Sequence, residues 1–309
     1  MKPTLLLASM TCAALPLLAA CADPSHASEA DDLRARLAAL PGVASARLDY
    51  TEPVTLDSGK LQLTVRMEPG AEASALSAVV TRTYDAFAGV HHGEEGDLDI
   101  TWGEDVVHLR SFEPDADEAA VGAAIEQALP VLEGEKVRVD IETQDVSKAP
   151  HVRTRFTVTT APGPDALLAA LPGLDRRFGA LPDADWTVQA APEGSWTLAS
   201  SDGFPGPDQL ALFGRLRAGL PQGATVWLGD DEATSLSLPA GTTPAAAAAL
   251  ADRQLALLGG PGRASYDLMV GDSLDVSIVD GECSFDTGPV GERIQLTHGP
   301  RCRAVVSAG

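Results

Sequence analysis

Helix-length stretches closed by Leu-Pro and followed by a strand recur along this chain, and this punctuation constrains the fold more than any other feature. The pairs are Leu40-Pro41, Leu129-Pro130, Leu181-Pro182 and Leu220-Pro221, and LAALPG occurs at both 37–42 and 168–173. Proline stops a helix because it lacks the backbone donor and restricts the residue before it. Helical periodicity predicts six helices, at 29–40, 72–88, 115–129, 164–180, 206–219 and 243–257. Leu33 and Leu37 line the inner side of the first, and Leu76, Val80 and Phe87 that of the second. Pro172 falls inside the fourth, which is expected to kink or split there.

Between helices the period changes to two, the signature of strands with one buried face. Leu61 to Val65, Leu98 to Trp102, Val106 to Arg110, Val137 to Ile141 and Trp186 to Ala190 all alternate in this way. Gly103-Glu104-Asp105 and Gly271-Asp272 mark hairpins. Helix, strand, strand therefore recurs six times. Shifted by one strand, the order becomes βαββαβ, which predicts an α+β fold of tandem ferredoxin-like modules, antiparallel sheets with helices on one face. Leu40-Pro41-Gly42-Val43 with Ala46 is similar, over fewer than twenty residues, to BON domains, small envelope modules whose order of elements differs. No function is carried over from it.

The N-terminus addresses location. Met1-Lys2 is followed by a short apolar run that ends at Leu18-Ala19-Ala20-Cys21 and turns polar at once. The run is too short for a membrane span. These four residues resemble the lipobox of bacterial lipoproteins. The resemblance covers residues 1–21 and implies that the Cys21 thiol receives a diacylglycerol and that cleavage leaves Cys21 first. Two or more acyl chains hold a protein on a bilayer, since each buried methylene contributes about 0.8 kcal/mol. The implied organisation is a signal peptide over 1–20, lipidated cysteine and tether over 21–31, α+β modules over 32–145 and 146–230, and a shortened third module over 231–309. The implied location is the extracytoplasmic side of the cell membrane.

Such a location is oxidising, so Cys283 and Cys302 are expected to form a disulfide. A metal site at these cysteines would have only His298 nearby. The formal net charge of −22 argues against nucleic acid as a partner, because long-range repulsion opposes approach. A hydrophobic fraction of 45% is that of a globular chain.

Strand phase sorts the remaining candidates. Trp186 and Trp196 fall on core phases, whereas Trp227 lies between inward Val226 and Leu228 and should point outward, as a contact for a sugar ring or a protein. Arg47, Lys60, Arg66, His108, Arg110, Arg138, Arg153 and Arg155 share the outward phase with Asp49, Asp97, Asp99 and Asp140. Cross-strand ion pairing should neutralise this patch; left unpaired, Arg110, Arg153 and Arg155 would face an anionic partner. His91 and His92, in a loop with Glu94, Glu95 and Asp97, are the metal-capable cluster, but adjacent histidines lack helical ligand spacing and a solvated acidic loop is expected. Nucleophile elbows, zinc-protease helices, phosphate-cradling loops and C-x-x-C are absent from the sequence. The expectation is a binding or adaptor lipoprotein without a cofactor, held on the membrane by lipid and meeting an envelope protein or glycan. The alternatives are an envelope hydrolase with a dispersed site and a metal-binding lipoprotein using His91 and His92.

Overall fold

The computed structural model describes residues 25–307 apart from 55–56, 112–115, 133–135, 147–148, 182–183, 194–195 and 202. Cys21 and the expected signal segment lie outside the described residues. Among these, the chain forms seven α-helices and one fourteen-stranded sheet, a mixed α+β fold. It begins α1 (Ala27–Ala38), β1 (Val43–Thr51), β2 (Lys60–Met67), α2 (Ala73–Ala88), β3 (Glu95–Trp102), β4 (Asp105–Ser111) and α3 (Glu118–Ala128). It continues β5 (Lys136–Val146), β6 (Ala149–Thr160), α4 (Pro164–Phe178), β7 (Ala184–Ala190), β8 (Thr197–Ser200), α5 (Pro207–Arg217) and β9 (Thr225–Leu228). It closes with β10 (Thr234–Leu238), α6 (Pro244–Leu257), β11 (Tyr266–Val270), β12 (Ser273–Val279), β13 (Glu282–Phe285), α7 (Pro289–His298) and β14 (Ala304–Ser307).

The strands lie across the sheet in chain order, from β1 at one edge to β14 at the other. Strands joined by a turn or loop are antiparallel, and strands joined through a helix are parallel. Geometry accounts for the direct return. The 16 residues of α2 span about 24 Å and the eight of β2 about 26 Å, so the helix carries the chain back to the start of the next strand without slack. The ferredoxin-like arrangement would instead insert a strand between the two parallel ones. That split pairing is not what these strands form: β2 bonds directly to β3, β4 to β5 and β6 to β7. Alternation is the same in both arrangements, so the sequence could not separate them. The expected boundaries after 145 and 230 fall at hairpins across which the sheet continues.

One face of the sheet carries the core. Val65, Ile100, Val107, Val139, Phe156 and Trp186 lie in register across β2 to β7, all buried. Above them pack Leu76, Val80 and Phe87 of α2, Val121 and Ile125 of α3, and Leu167, Leu171, Leu174 and Phe178 of α4. Trp186 sits with Phe156 at 4.6 Å and Phe178 at 5.7 Å between ring centroids. Burial also explains why Pro172 does not split α4, one of the two outcomes expected of it: the helix runs unbroken from Pro164 to Phe178. An internal proline costs about 3 kcal/mol, whereas each of the four buried side chains contributes about 1.5–3 kcal/mol.

The ends add two differences and one agreement, the disulfide. Residues 27–31, assigned to the tether although the expected helix began at 29, form the first turns of α1, whose Ala30 and Leu33 are buried. Residues 289–298 form α7, whose stripe Val290, Ile294 and His298 repeats every four residues and opens with Pro289. Cys283 in β13 is bonded to Cys302, with Cα atoms 5.9 Å apart, and ties β13 to the chain just before β14.

Candidate binding face

The helices cover one face of the sheet; the other is open, and its two halves differ in chemistry. Over β2 to β7 it is charged. A row in register reads Gln62, Asp97, Arg110, Glu142 and Arg153, and the next reads Thr64, Asp99, His108, Asp140, Arg155 and Asp185. His108 lies between two carboxylates, with Nε2 3.1 Å from Asp97 Oδ1 and Nδ1 3.3 Å from Asp140 Oδ1. Arg110 adds a bond to Asp97 at 3.3 Å, Lys60 reaches it at 3.2 Å, and Arg138 holds Asp140 at 2.7 Å. Arg138 Nη2 also lies 3.2 Å from His108 Nδ1, both aimed at the one Asp140 oxygen.

These contacts set the protonation states. Hydrogen bonds to Asp140 and then Asp97 outweigh burial and push His108 up to about 9. Burial opposes the charge on Asp97, but bonds from His108, Lys60 and Arg110 hold it well below the usual carboxylate range. Asp140 is lowered in the same way, against burial, by His108 and Arg138. At neutral pH the trio is therefore a charged, saturated cluster, and His108 has no free lone pair with which to accept a proton. Asp97, His108 and Asp140 were expected as solvated outward groups. They are buried because Lys60, Arg110 and Arg138, from the same and neighbouring strands, lie across them.

Arg153 and Arg155 of the expected patch are engaged too. Arg153 binds Asp185 at 2.6 Å, and Arg155 lies 3.8 Å from Glu142 and 3.9 Å from Asp185. Exposed pairs of this kind contribute about 0–1 kcal/mol, but they leave little net field for an anionic ligand.

Over β7 to β12 the same face is nearly neutral. Its row reads Gln189, Thr197, Trp227, Ser235, Asp267 and Ser277. Trp227 points outward as expected and is 41% exposed. Its indole lies along β9 over Gly229, where a Cβ would overlap Cη2, Cζ2 and Cζ3 of the ring. From the helical side, Gln209 Nε2 donates to Ala199 O at 2.7 Å and Gly229 O at 3.1 Å and so pins the backbone under the ring. Sequence reasoning missed Gly229 and Gln209. The signal for Gly229 was present, since it stands two residues after Trp227 on the same face.

His91 and His92 separate. His92 is exposed. His91 is 1% exposed, with Nδ1 2.7 Å from Glu94 Oε2, so the expected solvated loop is half interior. Tyr50 donates to Glu94 Oε1 at 2.7 Å and accepts from the His26 amide at 3.0 Å. Ser25 Oγ donates to Glu52 at 3.1 Å. This chain of bonds latches residues 25–26 onto β1. Among the described residues no group of three histidine, cysteine or acidic side chains is placed to hold a metal. Two surface cavities, of about 660 and 570 Å³, meet at Gly219 and Pro221 beside α5 and α6; no histidine or carboxylate lines either.

No protein-family model, no curated protein and no solved structure matches this chain.

Proposed function

We propose that this chain is a lipid-anchored lipoprotein on the extracytoplasmic side of the cell membrane, built from successive helix-strand-strand modules, that binds an envelope partner without catalysing a reaction. One observation carries the binding reading: seven helices cover one face of a long sheet, and the opposite face stays open and bears an exposed tryptophan. An indole held partly in solvent on an otherwise polar face offers a partner apolar area to bury together with a polar handle. The histidines support a non-catalytic role. His108 is locked between carboxylates, His91 is interior, and His298 is buried with Nε2 on Asp252.

Anchoring is tested by feeding cells alkyne-palmitate and comparing the native chain with Cys21→Ala. Label on the native chain alone supports it; equal labelling of both refutes it. Binding is tested with a photo-crosslinking phenylalanine at Ser235 on the open face and another at Leu296, exposed on α7. Adducts at Ser235 and not at Leu296 support the open face as the contact surface, and the reverse pattern overturns it.

A further inference from the structure

Resting on the open-face reading, we propose that the neutral half of that face is a platform for an uncharged polysaccharide, which stacks on the indole of Trp227. Three features of the molecule build the case. First, the indole is laid down rather than standing free. Gly229 leaves the space that the ring occupies, and Gln209 fixes the carbonyl of Gly229 from beneath. A flat, fixed aromatic ring suits the C–H face of a sugar, because little conformational entropy remains to be lost on binding.

Second, the flanking groups match the rim of a sugar. Ser235 stands beside Trp227 on the neighbouring strand, with Asp267 and Ser277 beyond it, all three partly exposed, whereas Thr197 and Gln189 on the other side are buried. Strands are about 4.8 Å apart, so the row from Trp227 to Ser277 runs roughly 14 Å across the sheet, enough for a short run of linked sugars. Its hydroxyl and carboxylate groups together donate to and accept from sugar hydroxyls. A protein hot spot would ring the tryptophan with apolar side chains that exclude water, and here short polar residues surround it.

Third, charge selects against anionic polymers. The chain carries a formal −22, the platform includes Asp267, and Arg110, Arg138, Arg155 and Arg153 of the other half are paired with Asp97, Asp140, Glu142 and Asp185. Exposed Leu274 lies on the same face near Met269, and a protein partner would use it together with Trp227.

The test uses the full chain from residue 22 onward, with cellohexaose, chitohexaose, laminarihexaose and maltoheptaose as probes, read by calorimetry and by tryptophan fluorescence. At least one probe is expected to bind saturably. Trp227→Ala should weaken it tenfold or more and Trp227→Phe less. Gly229→Val should weaken it while the circular dichroism spectrum stays native, and Leu274→Ser and Arg155→Ala should change it less than twofold. Binding that survives Trp227→Ala overturns the proposal, as does failure of all four probes. The crosslinker at Ser235 then separates the two readings. A protein adduct from cells, with no sugar binding, overturns the glycan and keeps the open-face reading; neither sugar binding nor an adduct overturns both.

Discussion

The two halves of the open face share one backbone and divide its chemistry. Over β2 to β7, acids and bases alternate across strands and consume one another. Over β8 to β12, short hydroxylated side chains leave a single aromatic ring exposed. The lesson is that a conspicuous charged patch can be the structural half of a surface, while a quiet one retains unspent binding capacity. Buried charges need their partners, because losing one strands the other; exposed neutral groups can exchange water for a ligand at little cost.

Removing a partner from the charged half should have the largest effect. Asp97→Ala leaves His108, Lys60 and Arg110 without their shared acceptor, and should cost about 3–5 kcal/mol in urea unfolding. A loss below about 1 kcal/mol would make the charged cluster as dispensable as its exposed rim. Comparable in size, Cys283→Ser with Cys302→Ser should cost about 3 kcal/mol by the loop-entropy model, with the loss of hydrogen-exchange protection concentrated in β13, β14 and α7. Loss spread evenly over β2 to β7 would instead mean that the two ends unfold as one.

The next effect depends on pH. His108 is raised in the folded state, so its stabilisation is complete below its ordinary value of about 6.5 and fades as pH rises through about 9. Stability should therefore fall between pH 6.5 and 9, on the order of 2 kcal/mol, and His108→Gln should flatten the profile. A profile unchanged by that substitution would separate His108 from the stability of its half. Asp97, held low, works in the opposite direction: its contribution is present above about pH 4 and is lost as pH falls below that. At the small end, Arg155→Ala should cost under about 0.5 kcal/mol, because its carboxylate contacts are long and exposed.

Local signals revealed much of this molecule. Six of the seven described helices, the outward turn of Trp227 and the pairing of Cys283 with Cys302 follow from periodicity, phase and the compartment inferred from the first residues, whereas α7 was missed. What stayed hidden is nonlocal. Strand order depends on which neighbour a returning helix delivers, and alternation alone is silent on that. The burial of His108 depends on long side chains from its own strand and from two others, β2 and β5, lying across the cluster. His91 sits inside because Tyr50 and His26 close over a loop that by composition belongs in water.

The latch at Ser25 and His26 bears on reach. It fixes the chain to the body only four residues after Cys21, so a lipid at that cysteine would hold the body on a leash of about 14 Å at full stretch. The leash attaches at the β1 edge, and Trp227 stands on β9, eight strand spacings away, up to roughly 38 Å across the sheet. Such a body would pivot as a lever, its hinge at the bilayer and Trp227 somewhat past the middle of its length. The distance it samples above the lipid would then be set by the breadth of the sheet and not by a flexible linker.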